Sequence, residues 1–329
     1  VKVSQFFANY WCQVKKLTQS SQSFAKTMQS IYPFSIKDFA KTYIASLVCN
    51  HPDGKAQAGA CGQDAEGADR KSMELPYEQD KLIEALCGVN PNYTVVMVSG
   101  TGVAMPWKEK VPAIVQGWHC GSEAGTALAS VLTGEVNPSG KLPYTYYTNL
   151  EQCGAHVLGD YPGDKDHHQV YRDDIFVGYR YIDREGITPN FPFGHGLSYT
   201  TFEYANAAAV KNDKGWELSF DLTNTGDKDG AEAVQLYVGD PVSTVSKPVK
   251  ELKQFEKIFL KAGETRRVTF QITDEDLNYY NCAMHAWTVE NGMYDLYVAA
   301  SSQDIRLKVS IEYNDPNSYS MQNLDAMIG

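Results

Sequence analysis

Thr94-Val95-Val96-Met97-Val98-Ser99, followed by Gly100-Thr101-Gly102, is the stretch that decides the fold of the middle of this chain. A continuous β-branched run that ends in a glycine-bearing loop is the pattern of a strand buried on both faces, as parallel sheets require. Upstream, Tyr77 to Val89 sets Leu82, Ile83 and Leu86 at helical spacing. Asn90-Pro91-Asn92 ends that helix. Downstream, beyond Pro106-Trp107 and Pro112, Ala113-Ile114-Val115-Gln116 is a second candidate for a buried strand. Gly121-Ser122-Glu123 then opens a helix on which Ala127, Leu128, Val131 and Leu132 share a face. Helix, strand, strand and helix with short Gly/Pro punctuation predict a doubly wound open sheet. In that architecture ligands meet the loops at the carboxyl ends of the strands.

From about Thr201 the hydrophobic period changes to two. Leu218–Leu222, Val234–Val238, Val268–Ile272, Tyr294–Val298 and Leu307–Ile311 all alternate. Asn224-Thr225-Gly226, Lys261-Ala262-Gly263 and Asn291-Gly292 supply turns between them. Residues 201–314 therefore read as an antiparallel β-sandwich of about seven strands. Residues 151–200 are a loop-rich connection in which Ile175 to Tyr181 is a strand candidate, and residues 315–329 form a tail.

The composition narrows the function classes. A chain of 329 residues, 43% hydrophobic and 21% charged, can bury two ordinary cores. No run approaches the roughly 18 apolar residues of a membrane span. The net charge of −11 argues against a nucleic-acid partner, which needs cations against phosphate. The 7 cysteines (Cys12, Cys49, Cys61, Cys87, Cys120, Cys153, Cys282) lack the spacing of a zinc site or a disulfide framework and read mostly as buried free thiols. His167-His168, in a Gly/Asp-rich loop, reads as solvent-exposed. Residues 1–60 stand apart: the first fifty carry six lysines and one aspartate, a net +5 that leaves −16 for the remainder. They show only loose helical periodicity around Phe34 to Val48 and no signal-peptide pattern. They remain unassigned, as part of an upstream domain or as an aberrant sequence end.

The candidate chemistry is sparse. Ser99-Gly100-Thr101-Gly102 lacks the context of a phosphate loop and reads as a tight turn. No Gly-x-Ser-x-Gly elbow supports a serine hydrolase, and Gly194-His195-Gly196 reads as a structural turn. Trp107 and Trp118 follow the strand candidates, where each either plugs a core or walls a sugar site. The remaining feature is Asp64-Ala65-Glu66-Gly67-Ala68-Asp69-Arg70-Lys71-Ser72. Most such acidic loops are solvated turns. A glutamate held on a loop above a rigid scaffold also serves as a proton donor when its surroundings raise its pKa.

In order along the chain, that loop is followed by Leu75-Pro76, Met105-Pro106-Trp107, Gly121-Ser122-Glu123-Ala124-Gly125 and Asn137-Pro138-Ser139-Gly140-Lys141-Leu142-Pro143. Then come Val177-Gly178-Tyr179-Arg180-Tyr181, Phe193-Gly194-His195-Gly196-Leu197-Ser198-Tyr199-Thr200-Thr201-Phe202, Asn224-Thr225-Gly226, Lys250-Glu251-Leu252-Lys253 and Ser301-Ser302-Gln303-Asp304-Ile305-Arg306-Leu307. Together these blocks resemble the C-terminal half of glycoside hydrolase family 3, the β-glucosidase and β-xylosidase family. The resemblance implies a three-layer α/β-sandwich domain, here residues 61–150, followed by a fibronectin type III-like β-sandwich at residues 201–314. It implies retaining hydrolysis of a β-linked oligosaccharide or glycoside, with Glu66 as the general acid/base and Asp69 and Arg70 positioning its loop. It implies no cofactor, no metal, no nucleic acid and no membrane partner.

One part of the family pattern is absent. The resemblance places the nucleophile and most sugar-binding residues in an N-terminal (β/α)₈ barrel of roughly 200 residues or more, which this sequence does not contain. The expectation is a chain that is inactive alone and needs that barrel as partner, from a protein exported to the periplasm or outside. A non-catalytic carbohydrate-binding or domain-docking module is the rival reading.

Overall fold

The computed structural model describes residues 43–48, 72–75, 78–118, 121–161, 163–164, 166 and 168–316. They fall into two units. The first runs to Val136 and takes back Tyr146–Leu150; the second takes Asn137–Thr145 and continues from Glu151.

A parallel sheet in the order β1 (Tyr43–Val48), β2 (Tyr93–Val98), β3 (Ala113–Gln116) organises the first unit. Tyr43 pairs with Tyr93 through to Val48 with Val98, and Thr94 pairs with Ala113 through to Met97 with Gln116. As the middle strand, β2 buries Tyr93, Val95, Val96 and Met97, the outcome its unbroken apolar run predicts. The segment expected to be loosely helical thus contributes a strand instead: a neighbour able to pair with its whole length outweighs a weak helical period. β3 was expected to be buried. It borders only β2 among the described strands, Ala113 is exposed and the rest of the strand is half-buried.

Helix α1 (Gln79–Cys87) buries Leu82, Ile83 and Leu86, the face expected from the sequence. It starts two residues later than the periodicity extends, because Glu78 adopts a left-handed conformation with φ 57°. Helix α2 (Ala124–Leu132) differs more from expectation. Its buried residues are Gly125 and Ala129, four apart, while Leu128, Val131 and Leu132 are half-buried and Ala127 is exposed. The buried stripe is thus marked by small residues rather than by the larger apolar ones.

The second unit opens with a short helix, α3 (Gly154–Val157), and then α4 (Tyr179–Glu185). A strand was expected over Ile175 to Tyr181. Gly178, at φ 59° and ψ −127°, turns the chain in a conformation open mainly to glycine and starts the helix. Side-chain ties then fix α4: Lys250 Nζ meets Asp183 at 2.6 Å, and the Leu252 N–H donates to the Tyr179 hydroxyl at 2.9 Å. The Tyr179 ring stacks on Phe193, with centroids 4.9 Å apart.

The sandwich consists of two antiparallel sheets. One has the order β12 (Ile305–Tyr313), β11 (Gly292–Ala299), β6 (Gly230–Gly239), β7 (Glu251–Leu260); the other has β4 (Phe202–Asn212), β5 (Gly215–Asn224), β8 (Thr265–Ile272). The alternation read in the sequence is the burial pattern in β5 and β8, whereas β6 buries all of Val234 to Val238 and β11 buries Tyr294, Asp295 and Leu296 in succession. Leu218, Phe220 and Leu222 of β5, with Val268, Phe270 and Ile272 of the adjacent β8, share one core with Val234 and Leu236 of β6 and Leu296 and Val298 of β11. Each fully buried side chain of this size contributes roughly 1.5–3 kcal/mol. β4 and β7 complete the seven strands. A helical turn, α5 (Asp274–Leu277), leads into a small hairpin of β9 (Tyr279–Asn281) and β10 (Ala286–Thr288).

The Asn224-Thr225-Gly226 turn has a specific cause. The Asn224 side chain is wholly buried, accepts from Thr200 Oγ1 at 2.6 Å, and donates to the Lys228 and Leu260 carbonyls at 2.8 and 3.2 Å. A buried amide that satisfies its neighbours in this way fixes the turn, where an apolar residue would orphan them.

Candidate functional site

Open α/β sheets bind ligands at the carboxyl ends of their strands, and the loops after β2 and β3 are built to hold that edge. After β2, the Ser99 hydroxyl donates to the Thr101 carbonyl, which tightens the turn. The chain does not enter a helix directly; it runs on to a single 3₁₀ turn at Lys108–Lys110. After β3, Gln116 Nε2 donates to the Ser99 carbonyl at 3.1 Å and the Gly117 N–H to the Met97 carbonyl at 2.7 Å. These bonds clamp the two loop stems together. Trp118 follows with φ 51°, its ring 6.4 Å from that of Tyr146 and tilted by 54°. Tyr146 itself is buried, within the aromatic run Tyr144-Thr145-Tyr146-Tyr147.

A third segment reaches the same edge. The Ala104 N–H donates to the Met73 carbonyl at 2.7 Å, and the Glu74 N–H to Ser72 Oγ at 3.1 Å. Leu75 is buried beside them. Asp80, in the first turn of α1, accepts the Trp107 indole N–H at 2.6 Å. Burial pushes the Asp80 carboxyl above its ordinary value, although the bonds from Trp107 and from the Leu75 backbone favour the charged form. Residues 73–75 are thus held from two directions at the carboxyl end of β2. They follow directly on the acidic loop singled out in the sequence.

Glu66, Asp69 and Arg70 lie outside the described residues. The two tryptophans can be resolved further. Trp107 is wholly buried with its N–H satisfied, so it is a core plug. Trp118 is half-buried at the loop edge. The signal for its partner was the tyrosine run, which carries no period and so gave no reason to single out Tyr146. Asp80 went unnoticed because an acid in the first turn of a helix is commonplace.

Other sequence candidates prove structural. His195 belongs to a pinned turn: its carbonyl accepts the Leu142 N–H at 2.8 Å, the Gly194 N–H donates to the Leu142 carbonyl at 2.8 Å, and its ring stacks on Phe191. His168 is exposed, as expected, and paired with Asp164 at 3.1 Å. Of the cysteines, Cys87 and Cys153 are half-buried free thiols and Cys282 is exposed, so burial was an overestimate for these three; Cys12, Cys49, Cys61 and Cys120 lie outside the described residues. Among the described residues no three His, Cys, Asp or Glu side chains gather as metal ligands, and no helix is long and apolar enough to cross a membrane.

Residues 45–199 match the glycosyl hydrolase family 3 C-terminal domain, and residues 232–302 match a fibronectin type III-like domain. The chain belongs to glycosyl hydrolase family 3 and carries that family's C-terminal domain. It is 49% identical over 257 residues to β-glucosidase BoGH3A of Bacteroides ovatus, a match that covers 76% of this chain and 34% of that protein. Against the thermostable β-glucosidase B of Acetivibrio thermocellus the identity is 44% over 255 residues, covering 76% and 33%. The crystal structure of DesR, a β-glucosidase from Streptomyces venezuelae in complex with D-glucose, superposes with a TM-score of 0.75 at 35% identity over 83% of this chain and 34% of that one. The chain thus spans about a third of the length of the relatives it matches.

Within the family-3 domain and its sandwich, most motif blocks prove to hold the fold. Met105 and Trp107 fill a core on either side of the exposed Pro106, and Val177–Tyr181 starts α4 against the first residues of β7. Asn137–Leu142 is a strap across the sandwich. Asn137 Oδ1 accepts from Ser198 Oγ and the Tyr199 N–H, both at 2.8 Å, and its Nδ2 donates to the Asp229 carbonyl at 2.9 Å. Lys141 Nζ meets Glu232 at 2.9 Å and the Gly196 carbonyl at 3.1 Å.

Proposed function

We propose that this chain supplies the proton-donor half of a retaining β-glycosidase site, with Glu66 as general acid/base and Asp69 and Arg70 orienting its loop. The observation that carries the reading is the 49% identity over 257 residues to a protein named a β-glucosidase. The anchored foot at Met73–Leu75 supports it, since a donor carboxyl needs a loop with fixed ends to reach a substrate reproducibly. In the first step, a carboxylate outside this chain attacks the anomeric carbon while Glu66 protonates the departing glycosidic oxygen. In the second, Glu66 takes a proton from the water that releases the sugar. Retention sets the two carboxyls about 5–5.5 Å apart, so the loop must meet a partner domain that carries the nucleophile. The substrate class is a β-linked glucoside or short oligosaccharide, and the isolated chain has negligible turnover.

The test compares two aryl β-glucosides in a form of the protein that includes the nucleophile-bearing domain. Glu66→Gln is expected to slow a poor leaving group by about 10²–10⁴ and a dinitrophenyl glucoside, whose leaving group needs no proton, far less. Equal loss on both would remove Glu66 from the donor role. Turnover by the isolated chain above its own Glu66→Gln control would refute the need for a partner domain.

A further inference from the structure

The β9–β10 hairpin carries an exposed cross-strand aromatic pair. Tyr280 and Trp287 pair directly across it, with ring centroids 5.7 Å apart and planes at 74°. Both face solvent, Trp287 at 68% and Tyr280 at 47% exposure. The other described tryptophans are spent inside: Trp107 and Trp216 are buried and Trp118 is half-buried. The opposite face of the hairpin is turned inward, with Thr288 buried and Asn281 and Ala286 half-buried. Burial therefore does not require the outer two rings, and a cross-strand aromatic pair on its own adds only a few tenths to about 1 kcal/mol to a hairpin.

Charge says what such a surface would accept. In a chain that is 21% charged with a net charge of −11, residues 278–288 (Asn-Tyr-Tyr-Asn-Cys-Ala-Met-His-Ala-Trp-Thr) contain no Asp, Glu, Lys or Arg. The hairpin's own residues thus offer a basic peptide no carboxylate and a phosphate no cation; the lysine nearest them, Lys247, lies over the Tyr279 ring and is already paired with Asp240 and Glu290. A neutral polyhydroxylated ring fits, because its C–H face lies against an aromatic face while its hydroxyls stay in water or reach a phenol or an indole N–H. The near-perpendicular rings make a corner, one as floor and the other as wall, for a single sugar unit rather than a flat track for a long chain.

We propose that Trp287 and Tyr280 form an auxiliary binding corner for a neutral β-glucan oligosaccharide. The ligand class rests on the β-glycosidase reading above; the location rests on the hairpin alone. The test is titration of the full chain with cellohexaose and laminarihexaose, read by tryptophan fluorescence and by calorimetry. The expected result is saturable binding that weakens at least tenfold in Trp287→Ala and in Tyr280→Ala. Trp287→Tyr should keep a measurable part of it, and Glu66→Gln should leave it intact. All variants should melt within about 4 °C of the parent, which is the change that loss of one exposed pair allows. Absence of binding in the parent chain overturns the proposal, as does binding that survives both alanine substitutions. Self-association abolished by Trp287→Ala, without sugar binding, overturns it in favour of a contact between copies. Because Glu66 is scored by turnover and Trp287 by binding, either reading can fail without the other.

Discussion

The Lys141–Glu232 pair offers the sharpest test of how the strap is held. Both side chains are nearly buried, at 12% and 8% exposure, and Nζ lies 2.9 Å from the carboxylate. Glu232 also accepts the Tyr204 hydroxyl at 2.9 Å, and Lys141 donates to the Gly196 carbonyl at 3.1 Å. Lys141→Met keeps the volume and removes the charge, leaving the Glu232 carboxyl with the Tyr204 hydroxyl as its hydrogen-bond donor and only the more distant Arg306 as a cation. Stranding one partner of a buried pair costs about 3–5 kcal/mol. In a unit of this size each kcal/mol moves the melting temperature by about 2–4 °C, so the single variant should melt roughly 6–20 °C lower. Lys141→Met combined with Glu232→Gln removes the stranded charge while the amide still accepts from Tyr204. It should recover most of the loss, to within about 1.5 kcal/mol of the parent. Differential scanning calorimetry with matched urea melts gives both numbers. A single variant less than about 1 kcal/mol below the parent, or a double variant no better than the single, would show that the strap does not depend on this charge pair.

Three further outcomes follow from the contacts. Glu290 accepts from Ser243 at 2.7 Å, from Thr244, and from Lys247 at 3.0 Å; burial works to raise its carboxyl, but these donors outweigh it and hold it below 4.5. Its stabilisation is therefore present above about pH 4.5 and lost as the pH falls through the folded value. Glu290→Gln should be less stable than the parent at pH 7, and urea melts should show that gap closing toward pH 3. Trp107→Phe removes the N–H from Asp80, so the Asp80 carboxyl should titrate still higher by NMR, with a stability loss of about 1–3 kcal/mol. Gly194 and Gly263 both have positive φ, 77° and 75°, but an added methyl at Gly194 runs into the Gln235 side chain whereas at Gly263 it meets open space. Gly263→Ala should therefore cost only the conformational penalty of about 1–2 kcal/mol. Gly194→Ala should cost clearly more on denaturant melts, because it also dislodges a buried amide bonded to the Gly194 and Ala300 carbonyls.

The sequence revealed elements wherever period and burial coincide. β2, α1 and the five alternating strands are each buried by the residues that the pattern marks. β4 was harder to see because its centre is Ala205-Asn206-Ala207-Ala208-Ala209, which favours no strand, and its register shifts between Ala205 and Ala208. β7 is amphipathic in the wrong sense, with Phe255 and Phe259 exposed and Ile258 and Leu260 buried. α4 was hidden by Ile175-Phe176-Val177, a strand-like composition overruled by one glycine conformation. Glu66 and its neighbours stand out in the sequence as a motif, but they lie outside the described residues. The supports of the adjoining edge were not legible, because the Ala104–Met73 bond and the Trp107–Asp80 bond join residues about thirty positions apart. No local pattern encodes such pairs.

The strap also limits how this protein can be taken apart. Asn137–Thr145 belongs to the second unit, yet the next residues, Tyr146–Leu150, return to the first before the chain leaves it for good. The two units are interleaved in sequence, so no single scission point yields both intact. A sandwich expressed from Glu151 onward would lack Asn137 and Lys141 and leave Glu232, Ser198 and the Asp229 carbonyl without their partners. A piece extended back to Asn137 would strip the first unit of Tyr146, the ring beside Trp118. As a cassette for shuffling or fusion, this region moves whole or arrives damaged.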